Sequence, residues 1–232
     1  MAGAAPWLAW LAAVLLVAPG ARRAAARPWL LSFLATLALA LLLPGLSACL
    51  PSLPSAMQWN WAGPLLVLAG TLGVASMLVR RAGVGWAEMG FTAVQRSGSL
   101  RPALAVTGLA LLLNLLLSRA SGYRLQHVSL ETWLYQASLP GLVEECLFRG
   151  VLLALLDRAF SARRRLAGAD FGYGALVVTA LFGLLHGVRF GSLLGVWPPA
   201  LLCLWLRART GSLVMPVLGH NLWNLSLHVG HL

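Results

Sequence analysis

Between Gly141 and Arg158 the chain reads GLVEECLFRGVLLALLDR, an apolar helical run that nevertheless carries Glu144, Glu145 and Arg149. A charged side chain near the centre of a bilayer costs roughly 2.5–3.5 kcal/mol on insertion scales, so such a cluster needs partners or a use. Spacing supplies part of the answer. Glu145 and Arg149 stand four apart on one helix face, acid before base, which is the favourable order. Glu144 points about 100° away from its neighbour, so it need not share that Arg. One carboxylate can be neutralised structurally while the other stays available as a proton acceptor. Two further apolar stretches carry polar groups of the same expensive kind. ALFGLLHGVRF sets Phe182 four residues before His186, and PVLGHNLWNLSLH sets His220 four before Asn224. A single His in a span is more often structural than catalytic. Carboxylate, imidazoles and carboxamide from three helices facing one another across a bundle are suited to activating water and holding an oxyanion.

The elements that must position these groups follow from composition. Hydrophobic residues make up 59% of the 232 and charged residues 10%, with a mean hydropathy of +0.82. A soluble domain carries roughly 25% charged residues. The chain therefore reads as an all-α polytopic membrane protein, with about eight transmembrane helices of ~20 residues around an intramembrane catalytic cavity. The net charge of +11 is not a nucleic-acid signal, since all 17 basic residues are Arg and most sit at expected helix ends.

Spans are expected at 6–19, 29–46, 59–79, 102–117, 132–158, 171–188, 192–206 and 212–229. The first is read as a retained helix because its arginines follow the apolar run rather than precede it. Trp59 and Trp61 stand where an interfacial belt belongs. The intervening loops are a Pro/Ser-rich stretch at 47–58, a Gly-rich one at 82–101 with a short interfacial helix, one at 119–131 that carries His127, and the basic SARRRLAGAD. Pro140-Gly141 should kink the fifth helix and free backbone groups for neighbours to satisfy. Residues 1–83 form an N-terminal unit of about three spans, and 84–232 a core of about five. Cys49 falls in a loop, whereas Cys146 and Cys203 fall in apolar runs as packing residues, and no disulfide framework is readable. The loops after odd-numbered spans hold thirteen Arg against three on the other side, which puts both termini outside the cytoplasm.

Glu144-Glu145-x-x-x-Arg149, then Phe182-x-x-x-His186, then His220-x-x-x-Asn224 resembles the three-motif signature of the CPBP (CAAX protease and bacteriocin-processing) intramembrane endopeptidases, whose best-known branch is the type II CAAX prenyl endopeptidases. The resemblance covers roughly residues 84–229. It implies that Glu144, with His186, activates a water as general base. It further implies that His220 and Asn224 stabilise the oxyanion, while Glu145, Arg149 and Phe182 hold the base helix. No cofactor is implied. The expected partner is a membrane-anchored protein or peptide substrate in the lipid bilayer, with no nucleic acid, and oligomeric state is left open.

Family members cleave prenylated tails, bacteriocin leaders, signalling peptides or C-terminal sorting anchors. A short, loop-poor, bacterial-looking chain suits a multi-pass protein of the bacterial inner membrane. It also suits a protein-sorting role like that of the myxosortase branch. Three other readings compete: a zinc-dependent peptidase whose ligands come from three helices, a non-enzymatic immunity or partner protein, and a proton-coupled transporter using Glu144.

Overall fold

The computed structural model describes residues 5–47, 57–120, 128–187 and 190–229. Cys49, Arg124, His127 and Arg189 lie outside them, as do residues 48–56 of the expected Pro/Ser loop. Helices occupy every expected span: α1 (Ala5–Val17), α2 (Arg27–Ser47), α3 (Ala62–Ala82), α4 (Leu100–Ala120), α5 (Leu130–Glu145), α6 (Leu153–Ala159), α7 (Tyr173–Leu185), α8 (Phe190–Thr210) and α9 (Val214–Val229). A π-helical segment, Cys146–Leu152, joins α5 to α6. Among the described residues, three stretches are long and apolar enough to cross a membrane, Ala24–Gly45, Ala62–Ala82 and Leu100–Ala120, and α1 and α7 are shorter apolar helices. The molecule is thus mostly helical with membrane-crossing capacity, and a full set of eight crossings rests on the sequence.

Two local expectations are corrected. The basic SARRRLAGAD stretch is not a loop: β1 (Arg163–Leu166) and β2 (Ala169–Gly172) pair antiparallel, so the fold is not purely α. The turn is two residues, Ala167 and Gly168, both at positive φ, which matches the right-handed twist of a tight hairpin. Residues 83–99 form turns and no interfacial helix.

Packing centres on the π-helical segment and α6. Val151, Leu152, Leu155 and Leu156 are wholly buried, in one apolar cluster with Phe33 and Leu37 of α2 and Leu181 of α7. Close approach is allowed by small residues, as expected where dispersion drives helix association. A Cβ on Gly174 would collide with Leu156. On α4, by contrast, Leu104, Leu109, Leu112, Leu116 and Leu117 are exposed, an apolar face suited to lipid.

α5 begins at an N-cap, Ser129, whose hydroxyl accepts from the Thr132 N–H at 3.2 Å, with Glu131 in the favourable first turn. Glu131 also accepts from the N–H of Gln58 (2.9 Å), the N–H of Trp59 (3.0 Å) and the Trp61 indole (3.0 Å). Trp59 stacks on Tyr135 at 4.6 Å between ring centroids. The expected interfacial tryptophans therefore strap the start of α3 to the head of the helix that carries the Glu pair.

Candidate active site

Pro140 lies inside α5, about one and a half turns before the end of the helix. The expected repair of the backbone comes from α9. Asn221 accepts from the Gly141 N–H through Oδ1 at 2.8 Å and donates through Nδ2 to the Ser138 carbonyl at 3.3 Å. Gly141 has to be glycine, because a Cβ there would run into that carboxamide and the Val217 carbonyl. The residue pinned by this contact is one position from His220, and Glu144 follows Gly141 by less than a turn. Sequence spacing singled out Asn224 on this helix and missed Asn221.

Glu145 and Arg149 pair as expected at 3.2 Å, both 0% exposed. The same Glu145 oxygen also faces His220 Nδ1 at 2.8 Å. The motifs of α5 and α9 are thus joined directly, a link that helical spacing within single segments does not reveal. Arg149 donates a second time to the Ala200 carbonyl on α8 at 3.0 Å, and its guanidinium lies 4.3 Å over the Phe182 ring. Phe182 in turn packs on His186 and His220. Glu145, Arg149 and Phe182 thus fix the two imidazoles rather than contact the cavity alone.

Glu144 is different. Its side chain is 31% exposed, and Oε2 lies 3.7 Å from His186 Nε2 and 3.9 Å from His220 Nε2. That oxygen has no hydrogen-bond partner among the described residues. His186 Nδ1 faces the Phe182 carbonyl at 2.8 Å. A carbonyl only accepts, so Nδ1 carries a proton, and Nε2 is the nitrogen that faces Glu144. At these separations neither imidazole bonds Glu144 directly.

A cavity of about 630 Å³ opens beside these groups, at the bundle end formed by the C-terminal halves of α4 and α9. His186, His220, Asn224 and Glu145 contribute polar wall, and Leu113, Leu117 and Trp223 are among the apolar remainder. Glu144 is not part of that wall, but its Oε2 approaches the two histidines that are. The described residues thus bring together every position that the three motifs named. Cys146 is buried in the helix packing, whereas Cys203 is buried against the site, its thiol 3.6 Å from the Pro216 carbonyl.

Among the described residues, one group could hold a metal: Glu145, Cys203 and His220 offer ligand atoms within 4.8 Å of one another. The fit is poor. Arg149 already pairs with Glu145 Oε1, leaving only Oε2 without a partner among the described residues, and a guanidinium next to a metal ion is repulsive. The His220 nitrogen nearest that oxygen is already engaged with it at 2.8 Å.

The bundle thus buries an ion pair beside a carboxylate and two imidazoles. Residues 126–226 match the family model of the Rce1-like type II CAAX prenyl endopeptidases, so this part of the chain is similar to that protease family. The match includes all three motifs and ends two residues beyond Asn224. No curated protein and no solved structure matches the chain.

Proposed function

We propose that the protein is a glutamate-type intramembrane endopeptidase that hydrolyses a peptide bond near a membrane-embedded or C-terminal anchor segment of its substrate. The observation that carries this reading is the placement of Glu144 Oε2 between two imidazole nitrogens at 3.7 and 3.9 Å. A water held there donates one hydrogen to Glu144 and one to the His186 Nε2 lone pair, leaving its oxygen lone pair free for a carbonyl carbon. Glu144 takes the proton as the C–O bond forms and delivers it to the departing amine as the C–N bond breaks. His220, protonated at Nε2, and the Asn224 amide donate to the oxyanion. Glu145 holds His220 through Nδ1, and Arg149 keeps that carboxylate charged.

The apolar walls of the cavity favour a substrate with a lipid-embedded segment beside its scissile bond. This suits a sorting-type protease of a bacterial inner membrane acting on a membrane-anchored protein. Positive-inside bias puts the cavity mouth on the non-cytoplasmic side.

The test combines a variant with a chelator. Glu144→Gln keeps the shape but accepts no proton, and should lower kcat by about 10²–10⁴ while the protein stays folded and inserted. Prolonged chelation of the wild-type protein should leave activity unchanged. The Glu145, Cys203 and His220 group favours one second reading, a zinc peptidase. Activity lost to chelator and regained with Zn²⁺ would establish that reading instead. Substantial turnover by Glu144→Gln would sink the general-base role.

A further inference from the structure

At the opposite end of the bundle, a second cavity of about 640 Å³ lies between α6, α7, α8 and the 83–99 loop. It matches the first in size but not in chemistry. Four arginines and three carboxylates face it above a floor that includes Leu153, Ala175 and Leu204, so one positive charge is left over. Two of the arginines are answered by acids. Arg158 Nε lies 2.5 Å from Glu88 and Arg163 Nη2 lies 2.9 Å from Asp157. The third acid, Asp170, stands across the hairpin from Arg165.

Arg207 and Arg96 have only neutral hydrogen-bond partners. Arg207, buried, donates to the carbonyls of Arg149 (3.1 Å) and Glu88 (2.7 Å), and Arg96 donates to that of Ala208 (2.7 Å). Each guanidinium lies against a glycine at positive φ, Arg207 on Gly90 and Arg96 on Gly211, where a Cβ would crowd it. The two side chains are therefore held in place before any ligand arrives. On the same wall the Gln95 carboxamide oxygen is buried without a partner among the described residues, an acceptor facing no donor.

We propose that this cavity binds a phosphodiester monoanion, with the phosphate at Arg96 and Arg207 and a hydroxyl of the attached group at Gln95. The wall carries more arginines than carboxylates, and paired guanidiniums suit phosphate oxygens. The cavity lies between helices on the Arg-rich face of the bundle, where basic pockets take lipid headgroups. A phosphatidylglycerol headgroup and a soluble phosphate share this chemistry, and the experiment separates them.

The purified full chain in neutral detergent is incubated with phosphatidylglycerol or with diacylglycerol of the same chains, and retained lipid is read by native mass spectrometry. One phosphatidylglycerol should be retained per chain in clear preference to diacylglycerol. Arg96→Gln should weaken that retention about tenfold, the loss of one charged hydrogen bond. Arg164→Gln, on the exposed strand outside the cavity, should leave it unchanged. Arg207→Gln should behave like Arg96→Gln where it folds, and Arg96→Gln decides the matter where it does not. Displacement of the lipid by millimolar inorganic phosphate would support the phosphate site and identify its occupant as a soluble anion. Equal retention of the two lipids, or an equal loss in Arg164→Gln, would overturn the proposal in favour of adsorption to the charged surface.

Discussion

Asn221 makes the most consequential contact outside the motifs. It gives the chain beyond Pro140 a partner that the helix cannot supply. Asn221→Ala would leave the Gly141 N–H buried and unpaired, at about 1–3 kcal/mol. Thermal unfolding should register that loss, and cleavage should fall with it because His220 is the adjacent residue. Asn221→Asp, which keeps the acceptor, should retain more of both than Asn221→Ala; equal loss in the two would assign the effect to volume alone. At this scale the sequence was informative wherever a group was costly. Glu144, Glu145, Arg149, His186, His220 and Asn224 stand out because a membrane span tolerates such residues only with a partner. Asn221 does not, because its partners are backbone groups some 80 positions away. The His220–Glu145 bond is hidden for a like reason, because it joins side chains 75 positions apart on different helices.

Among the elements, the strap at residues 58–61 has the clearest chemical handle. The backbone N–H of Gln58 is the largest influence holding the Glu131 carboxyl below its usual range, followed by the Trp61 indole and the Trp59 N–H. A depressed folded-state value means that the strap is fully held above the unfolded value and released as pH falls through the folded one. Hydrogen exchange at Gln58 and Trp59, referred to intrinsic rates, should therefore rise on acidification below about pH 4.3, the ordinary Glu value. Glu131→Gln should show the loosened state already at neutral pH. Protection independent of pH in the wild-type protein would remove Glu131 as the fastening. Helix positions were readable from apolar runs, arginine ends and Pro/Gly breaks. The hairpin was not, since RRRL and ADFG lack the alternation that marks a strand. The π-helical turn was hidden too, because a continuous apolar run carries no sign of one extra residue per turn.

For the molecule as a whole, the open question is which face meets the cytoplasm. The orientation expected from the arginine bias has the hairpin inside and the end of α4 outside. In a Cys49→Ser background, a cysteine at Ala120 should react with an impermeant thiol reagent in intact cells, and one at Ala162 only after lysis. The opposite pattern would invert the orientation and move the protease cavity to the cytoplasmic side.

The buried pair Glu145–Arg149 also bears on how the chain enters the bilayer. Because the partners are four residues apart, they can neutralise each other within the nascent helix, before any other helix arrives. The translocon then receives a dipole in place of two ions. Replacing Arg149 alone with Leu strands a carboxylate in that helix, a penalty of roughly 2.5–3.5 kcal/mol on the insertion scale. Glycosylation-site reporters should detect it as reduced insertion of the isolated 130–159 segment. Replacing both residues with Leu should restore insertion while leaving the enzyme inactive, because His220 has then lost the oxygen that orients it. Unchanged insertion of the single variant would mean that the pair serves the finished site and not its biogenesis.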